Sequence, residues 1–235
     1  MTTIKLSDTN NLTMPFNWPV VGSLLFLTGI AGIPAAVMLV LVLMSPTELT
    51  GIYAFVNPIH FQAPIIIFLH GGSGVLFFLT MPFQFSQKLR VKHLGLHKTT
   101  GRIAIVSAYV MAISGIWMHN LLSPESQGIR YYLLIFTSFL ICLTFSIALW
   151  HIIKGKVAQH KKWMARSVAI TLAAVTPLFI DTAIAIGFSQ YPQVYALLNQ
   201  FQYDYGRLLA VAINLAIVEV IWHKQKATSL TQCQA

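Results

Sequence analysis

The stretch of sequence that decides the fold is "PIIIFLHGGSGVLFFLTM", Pro64 to Met81, an apolar run that contains one histidine and three glycines. A helix needs roughly 20 apolar residues to cross about 30 Å of hydrocarbon. Extended to residues 62–85, the run reaches that length and indicates a membrane-spanning helix. Because a bare imidazole is costly in hydrocarbon, His70 is expected to face other helices rather than lipid.

The composition of the whole chain agrees with a membrane protein. Of its 235 residues, 56% are hydrophobic and 9% are charged, whereas a soluble domain has about 25% charged residues. The net charge of +9 does not indicate a nucleic-acid-binding protein, because the charges cluster between the apolar runs. Cys142 and Cys233 form no disulfide framework. The sequence contains no phosphate-binding glycine loop, HExxH motif or nucleophile elbow, so it assigns no enzyme activity.

Six apolar stretches predict an all-α integral membrane protein, a bundle of six transmembrane helices. The chain then divides into an amino-terminal segment (1–17), a transmembrane domain (18–223) and a carboxy-terminal tail (224–235). A proline beyond the first turn of a span predicts a kink, as expected here at Pro34, Pro82 and Pro177. The predicted spans are 18–44, 62–85, 100–119, 131–153, 163–188 and 206–222.

Lys and Arg are distributed very unevenly between the two ends of these spans. Only Arg130 and Arg207 lie at one end, so 13 of the 15 basic residues lie at the other. By the positive-inside rule, both termini and the two lysine-rich loops are expected in the cytoplasm. The loops would meet anionic lipid headgroups there. The 13 are Lys5, Lys88, Arg90, Lys92, Lys98, Arg102, Lys154, Lys156, Lys161, Lys162, Arg166, Lys224 and Lys226.

Three polar residues fall at a similar depth in the outer half of the predicted bundle: His70, Asp181 and Asn214. One interpretation is a functional layer in which His70 and Asp181 pair as a proton relay or as a ligand with its supporting carboxylate. The other is hydrogen bonding between helices that only fixes their packing. The sequence leaves both open.

Two blocks of the chain resemble a bacterial family catalogued as domain of unknown function 2306: "LHGGSGVLFFLTMPFQFSQKLRVKHLGLHKTTGR" and "HKKWMARSVAITLAAVTPL". The likeness covers roughly residues 62–180, and "H-x-x-W-M-x-R-S" is its most specific part. "HKTTGR" and Pro177 depart from the usual pattern. The shared residues are His70, Gly74, Pro82, Gln84, Phe85, His97, Gly101, Arg102, Gly115, His160, Trp163, Met164 and Arg166.

A weaker likeness is to di-haem cytochromes of the b561 type, which bundle six helices and hold haem between histidines. Histidines among loop lysines are usually just solvated, but His97, His151 and His160 mark three adjacent span ends. By this resemblance two of them, foremost His97 and His160, would be the ligands of a haem b iron, and Arg102 and Arg166 would bind its propionates.

Three functions compete at this point. The first is a haem-binding electron-transfer subunit that serves a quinone or a redox protein partner. The second is a proton-coupled transporter of a small molecule or an ion, using His70, Asp181 and Asn214. The third is an accessory or assembly subunit without catalysis.

Overall fold

The computed structural model describes residues 16–44, 58–123, 125 and 128–234, and nearly all of these residues are helical. Residues 59 and 225–234 are described by their backbone alone. Within these described ranges, five helices are long and apolar enough to cross a membrane. A sixth crossing is formed if the bent pair α7 and α8 counts as one span. The helices are α1 (Trp18–Met44), α2 (Ile59–Gln62), α3 (Pro64–Thr80), α4 (Gln87–Lys92), α5 (Leu94–Leu122), α6 (Ile129–Ile153), α7 (Val157–Thr171), α8 (Thr176–Phe188) and α9 (Pro192–Gln234).

The helices pack in a continuous series. Helix α3 lies between α1 and α5, α5 packs on α6, and α6 contacts both α7 and α9, while α8 packs along α9. The central contacts use small side chains, since Ala104, Ala108 and Ala148 are fully buried beside Phe145. Small residues let helix backbones approach closely in lipid, where packing replaces the hydrophobic effect as the main attraction between helices.

Two of the predicted kinks coincide with breaks in the helices. At Pro82 the α-helix gives way to a 3-10 turn, Pro82–Phe85. The second break comes just before Pro177, where a 3-10 turn, Leu172–Ala174, separates α7 from α8, and the two helices are bent by 49°. Proline lacks the N–H that would continue the ladder of hydrogen bonds, so it is tolerated in the first turn of the helix that follows. Pro34 lies inside the continuous helix α1.

Helix boundaries differ from the predicted spans mainly at the polar ends. Helix α5 begins at Leu94, six residues before the predicted span, and α9 extends from Pro192 to Gln234, beyond both predicted ends. The predicted tail therefore continues a helix, while residues 1–15 of the predicted amino-terminal segment lie outside the described part. Hydropathy locates only the part of a helix that contacts hydrocarbon, so a helix that continues into water is underestimated.

Candidate functional site

His160 is held in a defined orientation by the hairpin between α6 and α7. The connection is short because Gly155 adopts a φ of +70°, a conformation that glycine adopts without steric cost. The turn returns the chain so that His160 Nδ1 lies 2.9 Å from the carbonyl oxygen of Ala148. A carbonyl can only accept, so Nδ1 carries the proton and donates it, and the Nε2 of the neutral ring keeps a free lone pair.

His97, at the start of α5, is held by a different partner. The side-chain amide of Gln84 donates through its nitrogen to the carbonyl oxygen and to Nδ1 of His97, both at 3.0 Å. Its oxygen accepts from the N–H of Gly101 at 3.3 Å and from the hydroxyl of Thr100 at 2.7 Å. The 3-10 turn after Pro82 therefore brings Gln84 onto the first turns of α5 and fixes the His97 ring.

Glycine at position 101 makes room for this amide. A Cβ there would lie 2.9 Å from the Gln84 side chain, which is closer than van der Waals contact allows. Gly101→Ala is expected to displace the amide and to have a free energy of unfolding about 1 kcal/mol below that of Gly95→Ala, the net value of a hydrogen bond or two, because both variants gain the helix propensity of alanine. Thermal unfolding in detergent measures it.

The matched control is Gly95→Ala in the same helix, where a Cβ meets nothing within 4 Å. In a Gln84→Ala background the alanine at position 101 should cost nothing further, because both changes break one network. Equal losses for Gly101→Ala with and without Gln84 would contradict the assignment.

His97 and His160 lie near each other at the same end of the bundle. Each is within electrostatic reach of the other, and Arg90 is within reach of His97. Helices α5 and α7 both pack on α6, and His160 is tied to α6 through Ala148, while His97 is tied to Gln84. His151, in the last turn of α6, contacts the Trp150 ring edge at 4.9 Å between centroids, and its buried Nδ1 has no hydrogen-bond partner among the described residues.

The two arginines predicted to bind propionates are in different situations. Arg102 is exposed. Arg166 donates from Nε to Glu219 at 2.6 Å and stacks on the Trp163 ring at 4.8 Å. Lys162 Nζ lies 3.4 Å from the other oxygen of Glu219. The guanidinium of Arg166 is thus already neutralised by a carboxylate on α9.

The predicted polar layer divides into two groups. His70 Nδ1 lies 3.1 Å from the carbonyl oxygen of Met111 and 3.2 Å from the hydroxyl of Ser114, both on α5. Its ring packs against Gly115, where a Cβ would come within 3.2 Å of it. His70 therefore locks α3 to α5.

Asn214 and Asp181 belong to the other side of the bundle. The amide nitrogen of Asn214 donates to the carbonyl of Ala169 at 3.0 Å, and its oxygen lies 3.1 Å from the Thr176 hydroxyl, so it bridges the break between α7 and α8. Asp181 is exposed on α8. The three residues therefore have different surroundings: His70 contacts α5, Asn214 bridges α7 and α8, and Asp181 is exposed.

The described residues contain no group of three or more His, Cys, Asp or Glu side chains that could hold a metal ion. A structural zinc site needs about four such ligands, whereas a six-coordinate haem iron takes only two from the protein. At this end of the bundle the described residues offer two imidazoles, those of His97 and His160, and each is oriented by a hydrogen bond at its Nδ1.

Comparison with known proteins identifies the family. A family model described as a predicted membrane protein, DUF2306, matches residues 67–222, a range that runs from α3 into α9. No curated protein and no solved structure matches the chain significantly. The matched range covers well over half of the chain and contains His70, His97 and His160. The resemblance noted in the sequence is thereby confirmed, and this multi-pass membrane protein belongs to the DUF2306 family.

Proposed function

We propose that this protein binds haem b between His97 and His160 and transfers electrons between a quinol or a redox protein partner and an acceptor. One observation carries the proposal: the hydrogen bond from His160 Nδ1 to the carbonyl of Ala148. Histidines that ligate a metal through Nε2 usually donate their other N–H to a carbonyl or carboxylate, which fixes the tautomer and makes the ligand more basic. His160 has that arrangement, and His97 lies nearby.

The partner of His97 is compatible with the same role. Gln84 donates to Nδ1 of His97 in the structure, so a ligand role for His97 requires the amide to turn over and accept from Nδ1 instead. The turned amide would exchange its bonds to the His97 carbonyl and the Gly101 N–H for that one. That turn would leave Nε2 of His97 free as a second ligand. The donor set thus fits a bis-histidine haem, with His151 as the alternative ligand at this end.

Each residue around the pair has a distinct task in this proposal. A bound haem b supplies a one-electron carrier whose potential depends on its ligands and their hydrogen bonds. His97 and His160 would hold the iron through their Nε2 atoms. Arg90 and the exposed Arg102 provide the positive charge for propionates, because Arg166 is engaged by Glu219. Met164, one turn after His160, is buried in the apolar core of the bundle.

A reduced-minus-oxidised absorption spectrum of the purified protein, expressed with added haem precursor, tests the proposal. We expect the sharp α and Soret bands of a six-coordinate b-type haem, with close to one haem per chain by pyridine haemochrome assay. Protein that is folded by circular dichroism and carries no haem under these conditions would remove the proposal.

The proposed orientation places six crossings in the bacterial inner membrane, with both termini and the lysine-rich loops in the cytoplasm. With native cysteines replaced by serine, single cysteines at Lys92 and Lys161 should resist a membrane-impermeant thiol reagent added to spheroplasts. A cysteine at the exposed Glu125 should react. Labelling of Lys92→Cys and Lys161→Cys from opposite sides would contradict both the orientation and the shared site of His97 and His160.

A further inference from the structure

At the end of the bundle opposite the lysine-rich loops, two arginines and a tyrosine form one cluster. Arg130 lies in the first turn of α6, and its guanidinium carbon is 4.4 Å from the centre of the Tyr203 ring on α9. Arg207 follows Tyr203 by one helical turn and is within electrostatic reach of Arg130. The packing of α6 against α9 therefore places two like charges beside each other at the end of the bundle.

The charge of Arg207 is not balanced by any residue that the structure describes. Its Nε is buried and has no hydrogen-bond partner among them. Asp204, three residues earlier, accepts from Gln200 at 2.9 Å instead and forms no ion pair with either arginine. Arginine stays protonated in proteins, so an unpaired, partly desolvated guanidinium beside a second one favours the binding of an anion.

We propose that Arg130 and Arg207 bind the phosphate group of an anionic ligand at the level of the lipid headgroups. Guanidinium groups bind phosphate oxygens in pairs, through two parallel N–H bonds. The depth is indicated by tyrosine, which is enriched where a membrane meets water. Three tyrosines at this end are more than half exposed: Tyr132 at 62%, Tyr191 at 56% and Tyr203 at 53%.

The same phosphate chemistry has two sources, a phospholipid and free inorganic phosphate, and binding experiments separate them. The full chain is delipidated in a neutral detergent and titrated with dioleoylphosphatidylglycerol, with dioleoylphosphatidylcholine or with sodium phosphate. Thermal unfolding and native mass spectrometry report binding. We expect phosphatidylglycerol to bind and stabilise the wild type, and Arg207→Gln or Arg130→Gln to weaken that binding about tenfold, as losing a charged hydrogen bond would.

Arg207→Lys, which keeps the charge and loses the planar fork, should weaken binding less than Arg207→Gln. Lys154→Gln, which removes one exposed positive charge at the other end, is the matched control and should leave the binding measured here unchanged. Competition by sodium phosphate would identify free phosphate as the ligand, and its absence would identify the lipid. Either result supports a phosphate site.

Two results would overturn the inference. The first is equal affinity for phosphatidylglycerol, and no response to phosphate, in the wild type and both glutamine variants. The second concerns Glu48, an acidic residue outside the described part of the chain. If Glu48→Gln lowers the unfolding temperature of the wild type but not of Arg207→Gln, then the chain itself supplies the partner of Arg207.

Discussion

His160→Phe is expected to remove the haem spectrum from a protein that otherwise folds. Phenylalanine keeps a flat ring of similar size but has no nitrogen to bind iron or to donate to the Ala148 carbonyl. Loss of a partner behind a metal ligand typically lowers metal affinity 10- to 100-fold, and loss of the ligand itself should cost at least as much. The measurement is haem per chain by pyridine haemochrome assay, beside the reduced-minus-oxidised spectrum.

His93→Phe is the matched control for this prediction. His93 is exposed and precedes His97 by one turn. It therefore lies at the same end of the bundle but is not the residue whose ring Gln84 contacts. We expect it to keep the wild-type spectrum, and we expect His97→Phe to behave like His160→Phe. Full haem content in both His97→Phe and His160→Phe would show that the ligands lie elsewhere, with His151 the next to replace.

Much of the fold could be predicted from the sequence, because the hydrocarbon thickness sets the length of each apolar run. The first span was predicted as residues 18–44, and the helix is Trp18–Met44. The fifth was predicted as a single kinked span. The finding is a bent pair of helices, since proline marks where a helix must break but not how far the two parts diverge.

The candidate site was less predictable, because depth along a helix can be estimated from sequence whereas rotation about its axis cannot. Asp181 and His70 were predicted at a similar depth, and the structure has Asp181 exposed on α8 and His70 bound to α5. Gln84 makes a contact at the candidate site that was not predicted from the sequence. It carries no charge and stands in an apolar block, so only the 3-10 turn after Pro82 reveals that it contacts His97.

The contact between α1 and α3 is where a single methyl group should have the largest effect on stability. A Cβ at Gly32 would lie 2.7 Å from Cβ and 2.8 Å from Cγ of Phe78. The Phe78 Cβ is bound directly to the backbone of α3 and cannot turn away, so Gly32→Ala must push the two helices apart. Overpacking of this kind costs about 1–3 kcal/mol, more than the small gain in helix propensity of alanine over glycine.

Gly22→Ala in the same helix separates these two effects, because a Cβ at Gly22 meets nothing within 4 Å. We expect Gly22→Ala to leave the unfolding temperature unchanged or to raise it slightly, and Gly32→Ala to lower it by several degrees in the same detergent. Helix α1 carries neither of the proposed ligands, His97 and His160, so the Gly32→Ala protein should keep its haem until it unfolds. Equal unfolding temperatures for the two variants would mean that α1 does not pack on α3 through Gly32, and the order of helices in the bundle would need to change.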